Sequence, residues 1–70
     1  MKIEPVESSN ISSVGYDKEN QRLEIEFRRS KVVYSYHKVP PKVYAKLMTA
    51  ESLGKYFNEN IAKEYKFTRL

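Results

Sequence analysis

The feature that most constrains the fold is an alternation of charged and apolar side chains, Arg22-Leu23-Glu24-Ile25-Glu26-Phe27-Arg28. In an extended chain the three apolar residues fall on one side and the charged residues on the other. An α-helix would scatter the same residues around its axis, because its period is about 3.6 residues. The pattern therefore predicts a β-strand with one face buried and the other in water.

A second strand is predicted for residues 31–37, which are rich in valine and tyrosine. A tight hairpin between the two strands sets Leu23 opposite Tyr36, and the same register sets Ile25 opposite Tyr34. A register shifted by one residue would move both tyrosines to the charged face. We therefore expect Tyr34 and Tyr36 to lie in the core, rather than to form an open platform on which nucleotide bases stack.

A third strand is predicted for residues 12–16, followed by a turn whose Asp and Asn side chains favour chain reversal. This turn sets Val14 opposite Ile25, so that three strands share one apolar face. Pro40-Pro41 suits the start of a helix, and Ser52 suits the cap of a second helix. Apolar residues recur at helical spacing in both segments: Val43, Tyr44, Leu47 and Met48, then Leu53, Phe57 and Ile61.

These elements predict an α+β fold, in which two C-terminal helices pack on one face of a three-stranded antiparallel meander in the order β-β-β-α-α. Residues 1–11 are predicted as a flexible N-terminal arm, because they are polar and show no periodicity. Residues 12–70 are predicted to form a single domain.

The positive charge is concentrated in the middle of the chain. The formal net charge is +4, and residues 27–50 contain six cations and no acid. Such a segment can bind the phosphates of a nucleic acid, and a surface that only keeps the protein soluble remains the alternative. The candidate phosphate-binding residues are Arg28, Arg29, Lys31, Lys38, Lys42 and Lys46.

Other functional classes find little support in the sequence. The chain has no cysteine and a single histidine, His37, which is predicted to face solvent. We expect no metal, no cofactor, no small-molecule substrate and no catalytic residue, and hence no enzyme. No apolar segment is long enough to cross a bilayer or to act as a secretion signal, so we expect no membrane association and a cytoplasmic protein.

The residues also resemble a known family. The resemblance rests on Leu23-x-Ile25-x-Phe27, Tyr34-x-Tyr36, Val39-Pro40, Val43-Tyr44, Ser52-x-Gly54-x-Tyr56-Phe57-Asn58, Ile61 and Tyr65. Together they are similar to the KTSC domain, which is named for a C-terminal appendage of some lysyl-tRNA synthetases and also occurs as small stand-alone proteins. The chain departs from the family's glycine in the second hairpin turn, where it has Arg28-Arg29-Ser30-Lys31.

The resemblance implies the fold and suggests RNA as the class of ligand. We therefore expect a small nucleic-acid-binding module, with RNA as the favoured partner, that contacts phosphates through a basic patch on the hairpin and the first helix. The alternative is a protein–protein interaction module, or a small phage or bacterial regulator, that docks on a larger host protein.

Overall fold

The computed structural model describes residues 2–70, which form one five-stranded sheet and two α-helices. The strands follow their sequence order in the sheet, and all neighbours are antiparallel. The elements are β1 (Lys2–Pro5), β2 (Ile11–Asp17), β3 (Arg22–Phe27), β4 (Val33–Tyr36), α1 (Pro41–Thr49), α2 (Leu53–Asn60) and β5 (Phe67–Arg69).

The predicted register of the three central strands is confirmed. Leu23 lies opposite Tyr36 and Ile25 lies opposite Tyr34 in the β3–β4 pair. Val14 lies opposite Ile25 in the β2–β3 pair. Side chains directly opposite one another share a face of the sheet. The alternation in β3 therefore also predicts which residues of β2 and β4 face the core.

The predicted number of strands is wrong, because the sheet has a fourth and a fifth strand at its edges. β1 pairs with β2, so residues 2–5 of the predicted arm are part of the sheet, whereas Met1 lies outside the described residues. β5 pairs with β4. Both strands are too short to show a clear alternation, and Pro5 in β1 is tolerated because an edge strand leaves one side of its backbone unpaired.

A β-bulge near the start of β2 explains how Ile11 reaches the core. The register shifts between Ile11 and Ser13, so that Ile11 faces Phe27 while Ser13 faces Glu26. Without the extra residue, Ile11 and Ser13 would point to the same side of the strand. The hydroxyls of Ser12 and Ser13 both donate to the Glu26 carboxylate, at 3.1 and 3.0 Å, and fix the bulge.

The two helices begin where the sequence predicted. Pro41 occupies the first turn of α1, where the missing N–H costs nothing. The Ser52 hydroxyl caps α2 by accepting from the Lys55 backbone N–H at 3.3 Å. A Cβ on Gly54 would come within 3.2 Å of the Ser8 hydroxyl, so glycine allows the close approach of α2 to the β1–β2 loop.

Aromatic contacts show that both helices cover the same sheet face. The Tyr44 ring of α1 stacks on Tyr16 of β2, with centroids 4.6 Å apart. The Phe57 ring of α2 meets Phe27 at 5.8 Å and Tyr36 at 5.3 Å. The buried apolar core between the layers consists of Ile11, Val14, Leu23, Ile25, Tyr36, Val39, Leu47, Phe57 and Ile61.

Within residues 2–70, no helix has the length and apolar character needed to span a lipid bilayer.

The Tyr16 hydroxyl joins the sheet to the segment before α1, because it donates to the Val39 carbonyl at 2.6 Å. We expect Tyr16→Phe to lower the free energy of unfolding by about 1 kcal/mol at neutral pH, since the buried Val39 loses this donor. Tyr44→Phe is the matched control, because it keeps the stacked ring pair. Equal losses in urea unfolding of the two variants would contradict a specific role for the Tyr16 hydroxyl.

The same hydroxyl makes the fold sensitive to alkali. Burial, followed by the nearby Asp17 carboxylate, raises the pKa of Tyr16 above its usual 10.0. The folded state therefore favours the neutral phenol, and the associated stability is complete below pH 10.0 and decreases as the pH rises through the raised pKa. The Tyr16→Phe variant should lose less stability than the wild type over this range.

Candidate nucleic-acid interface

Tyr34 and Tyr36 lie on the dry side of the sheet, as predicted. Tyr36 is 3% exposed, and burial raises its pKa. Tyr34 is half-buried and meets the Phe27 ring edge-on, with centroids 5.4 Å apart. Both rings also contact Phe67 of β5, at 4.8 and 5.4 Å. Both rings therefore pack among aromatic side chains of the protein, as expected for the dry face of the sheet.

Arg28 holds the β1–β2 loop against the sheet. Its Nε donates to the Ser8 carbonyl at 3.1 Å, and one terminal nitrogen lies 3.4 Å from the carbonyls of Val6 and of Ile11. Its backbone N–H donates to the Asn10 carbonyl at 2.8 Å. Most of the guanidinium's donors are thus directed at the protein itself, which leaves Arg28 poorly placed to fork around a phosphate.

Arg29 and Lys31 are exposed in the β3–β4 turn, at the end of the sheet that we call the loop end, formed by residues 6–10 and 28–32. Lys31 has a φ of 57°, in the left-handed region that favours glycine. Three carboxylates, of Glu7, Glu51 and Glu59, line the concavity between residues 7–10 and α2 at this end.

Lys38 lies at the opposite end of the sheet, which we call the helix-start end, formed by residues 18–21 and 37–40. The Val39 backbone N–H donates to the Gln21 carbonyl at 2.8 Å and fixes this placement. A strand of the length of β3 separates the two ends by about 17 Å. Lys38 is therefore separated from Arg29 and Lys31, because an antiparallel hairpin puts the residues before and after β4 at opposite ends. Whether the hairpin and helix cations act as one phosphate-binding patch stays a prediction.

Three of the candidate lysines lie at the helix-start end or on α1. Lys38 precedes α1 by three residues and has a φ of 58°. Lys42 lies in the first turn of α1, and Lys46 lies about 6 Å further along the same face of the helix. We call these three residues the lysine row, and all three side chains are exposed.

A concavity of about 400 Å³ opens beside Lys38, and its lining includes residues that the sequence did not single out for binding. The walls are formed by His37, Lys38, Glu64, Tyr65 and Lys66. His37 and Lys66 are neighbours because the His37 backbone N–H donates to the Lys66 carbonyl at 2.8 Å. The pairing of β5 with β4 brings residues 64–66 next to residues 37–38. A local sequence pattern could not predict this contact between distant segments.

The sheet face opposite the helices has a different character. Ser13 and Gly15 form the floor of a shallow concavity of about 180 Å³ between Ile3 and Val33, bordered by the Glu24 and Glu26 carboxylates. Ile3 is 58% exposed, and Leu70, beside Val33, is 66% exposed. Met48 and Tyr56 of the two helices pack partly against the core.

The described residues contain no group of three or more histidine, aspartate or glutamate side chains that could hold a metal ion. The His37 ring is hydrogen-bonded to Thr68 through Nε2 at 2.7 Å. The Ser52-x-x-Lys55 spacing, which also occurs around some nucleophilic serines, is explained here by the helix cap.

Comparison with known proteins places this architecture among relatives. The family model of the KTSC domain matches residues 7–65. A protein of Stutzerimonas stutzeri is 42% identical over 71 residues, covering 100% of this chain and 99% of that protein. A lysine–tRNA ligase of Nostoc punctiforme is 44% identical over 64 residues, which cover 91% of this chain and 11% of the ligase. The crystal structure of a KTSC domain protein from Yersinia pestis superimposes with a TM-score of 0.93 at 36% identity, covering 99% of this chain and 96% of that chain.

Proposed function

Because the chain belongs to the KTSC domain family, we propose that it is a small RNA-binding module that contacts phosphates through the lysine row. The observation that carries this proposal is the exposure of Lys38, Lys42 and Lys46 along one end of the molecule and one helix. The related segment of the Nostoc punctiforme ligase supports it, because that enzyme's name includes tRNA. The proposal also places the protein in the cytoplasm, where tRNA is charged.

The helix-start end is better suited to phosphate than the loop end. At the loop end, Arg28 is engaged by backbone carbonyls, and the neighbouring concavity is lined by three carboxylates, of Glu7, Glu51 and Glu59, and one cation, Lys55. The concavity beside Lys38 has a single carboxylate, of Glu64, and two lysines. Carboxylates close to a cation repel phosphate and weaken the attraction. The residues of the lysine row are point charges on flexible stems, which suit backbone contact with little sequence preference.

Two double variants of equal charge test the proposal. We expect Lys38→Glu with Lys42→Glu to weaken binding of labelled tRNA by at least about tenfold at low salt, and to reduce the salt dependence, because each phosphate contact contributes about 0.7 to 0.9 to the slope. Arg29→Glu with Lys31→Glu makes the same change in net charge at the loop end and should have a much smaller effect. Fluorescence anisotropy at several salt concentrations measures both quantities.

Three results would count against this function. They are an absence of binding by the wild type at low salt, binding that is indifferent to salt, and equal losses in the two double variants, which would indicate a general effect of net charge. Thermal unfolding of each variant provides the control for folding.

A second candidate is docking on a protein partner, and the open sheet face favours it. Ile3 and Val33 are the apolar residues that line its shallow concavity, and Leu70 is exposed beside Val33. Glu24 and Glu26 would attract a basic side chain of the partner. Val33→Glu separates the two functions, because it should leave tRNA binding unchanged. Loss of cellular function in this variant, with tRNA binding intact, would favour the protein partner.

A further inference from the structure

The concavity beside the lysine row, lined by His37, Lys38, Glu64, Tyr65 and Lys66, has features that phosphate contact alone does not require. Its volume of about 400 Å³ lies in the usual range of sites for small organic molecules, about 300 to 1,000 Å³. It combines two amines, one carboxylate and two rings. We call it the nucleotide concavity.

Tyr65 packs partly against the core and also lines the concavity. Its ring is half-buried at the wall of the concavity and, within residues 2–70, takes part in no ring pair. Four other tyrosines each meet at least one aromatic ring of the protein: Tyr16, Tyr34, Tyr36 and Tyr44. Tyr56 also meets none within residues 2–70, but it does not line this concavity. A ring without an aromatic partner at the edge of a cavity is suited to stacking on a planar ligand.

The lining contributed by His37 is held in place by hydrogen bonds. The His37 ring is fixed by Thr68, at 2.7 Å, and its backbone N–H is bonded to the Lys66 carbonyl at 2.8 Å. Lys66 accepts one of these hydrogen bonds through its own carbonyl, and Lys38 is the residue after His37. The backbone from which each lysine side chain extends is therefore fixed. A ligand entering here meets walls whose arrangement needs little reorganisation, which lowers the entropic cost of binding.

We propose that the nucleotide concavity binds one unpaired nucleotide of the RNA. The base stacks on Tyr65, the Glu64 carboxylate accepts a hydrogen bond from an exocyclic amine of the base, and Lys38 and Lys66 contact the phosphate. Recognition of single-stranded RNA commonly combines such stacking with cations along the backbone. This inference rests on the proposed function, since it names the form in which RNA is held at the helix-start end.

A titration of the full chain with cytidine 5′-monophosphate tests the site directly, with ribose 5-phosphate as the control that lacks a base. We expect the nucleotide to shift the backbone amide signals of His37, Lys38, Tyr65 and Lys66 and the ring signals of Tyr65. The sugar phosphate should shift the lysine signals alone. Equal effects of the two compounds, or shifts confined to other regions, would overturn the inference.

Two variants of Tyr65 test the stacking in RNA itself. Tyr65→Leu should weaken binding of a short single-stranded RNA by about tenfold without changing the salt slope, because it removes a ring and no charge. Tyr65→Phe keeps the ring and should retain wild-type affinity. If Tyr65→Leu fails to fold, the nucleotide titration of the wild type and the affinity of Tyr65→Phe still decide the question.

Failure of this inference is distinguishable from failure of the proposed function. RNA binding could be salt-dependent and lost in the Lys38→Glu, Lys42→Glu variant but unaffected by Tyr65→Leu. This result would contradict nucleotide binding in the concavity and would support phosphate contact by the lysine row. Nucleotide binding at Tyr65 without any binding of RNA would support the concavity as a mononucleotide site and would contradict the RNA-binding function.

Discussion

Replacing Phe57 by alanine should leave the chain largely unfolded at room temperature. Phe57 is 2% exposed and lies edge-on to the rings of Phe27 and Tyr36, where it joins α2 to the sheet. Removing such a ring from a core costs about 3–5 kcal/mol. The single core of a domain of this size supplies a net stability of about the same magnitude.

Phe67→Ala is the matched control, because it removes the same ring from a different environment. Phe67 packs on Tyr34 and Tyr36 but is 50% exposed, so we expect a loss of about 1 kcal/mol and a folded protein. Far-ultraviolet circular dichroism and urea unfolding compare the two variants. A Phe57→Ala variant with a cooperative transition close to that of the wild type would show that α2 contributes little to the core.

The importance of Phe57 could be predicted from the sequence, because it depends on short-range periodicity. The alternation of Leu23, Ile25 and Phe27 defined one dry face, and hairpin geometry then placed Tyr34 and Tyr36 on it. A face of five such residues must be covered, and the helical spacing in the C-terminal half supplied the cover. The pairing of the strands could be predicted because a shift of register by one residue would bury charged side chains.

Other elements of the fold could not be predicted from the sequence, and the reasons are physical. β1 and β5 are edge strands of 4 and 3 residues, and a segment of this length gains its structure from the neighbour with which it pairs. The bulge in β2 adds a residue that no periodicity reveals. The nucleotide concavity depends on β5, because it is this strand that carries Lys66 to the side of His37.

The positions of the charges could be predicted less well than the positions of the apolar residues. Six cations that are close in sequence suggested one surface, but the antiparallel course of β4 separates Arg29 and Lys31 from Lys38. A charge that faces water has no packing constraint to reveal its direction. Buried positions show a periodic pattern of apolar residues in the sequence, whereas exposed positions accept many residue types and show almost no pattern.

Arg28 was predicted to bind phosphate, but its side chain contacts the protein itself. Its replacement by alanine has the second largest effect that we expect. The side chain donates to the carbonyls of Ser8, Val6 and Ile11 and ties the β1–β2 loop to the turn after β3. Hydrogen bonds from a charged donor contribute about 1.5–3 kcal/mol when they are shielded. Because Arg28 is exposed, solvent reduces this value, and we expect Arg28→Ala to cost about 1–2 kcal/mol.

Two further substitutions separate the geometry of Arg28 from its charge. Arg28→Lys keeps the charge but replaces the fork with a single ammonium, so it should recover only a minor part of the stability. Arg29→Ala removes an exposed neighbouring arginine that has no hydrogen-bond partner within residues 2–70, and it should change the stability by less than about 0.5 kcal/mol.

Urea unfolding measures these differences, and hydrogen exchange of the amides in β1 and at the start of β2 shows where they act. Faster exchange confined to these strands in Arg28→Ala is expected, because the loop that Arg28 holds connects them. If Arg28→Ala were as stable as Arg29→Ala but lost affinity for tRNA, the guanidinium would be a phosphate ligand in solution. The loop end would then take part in binding together with the lysine row.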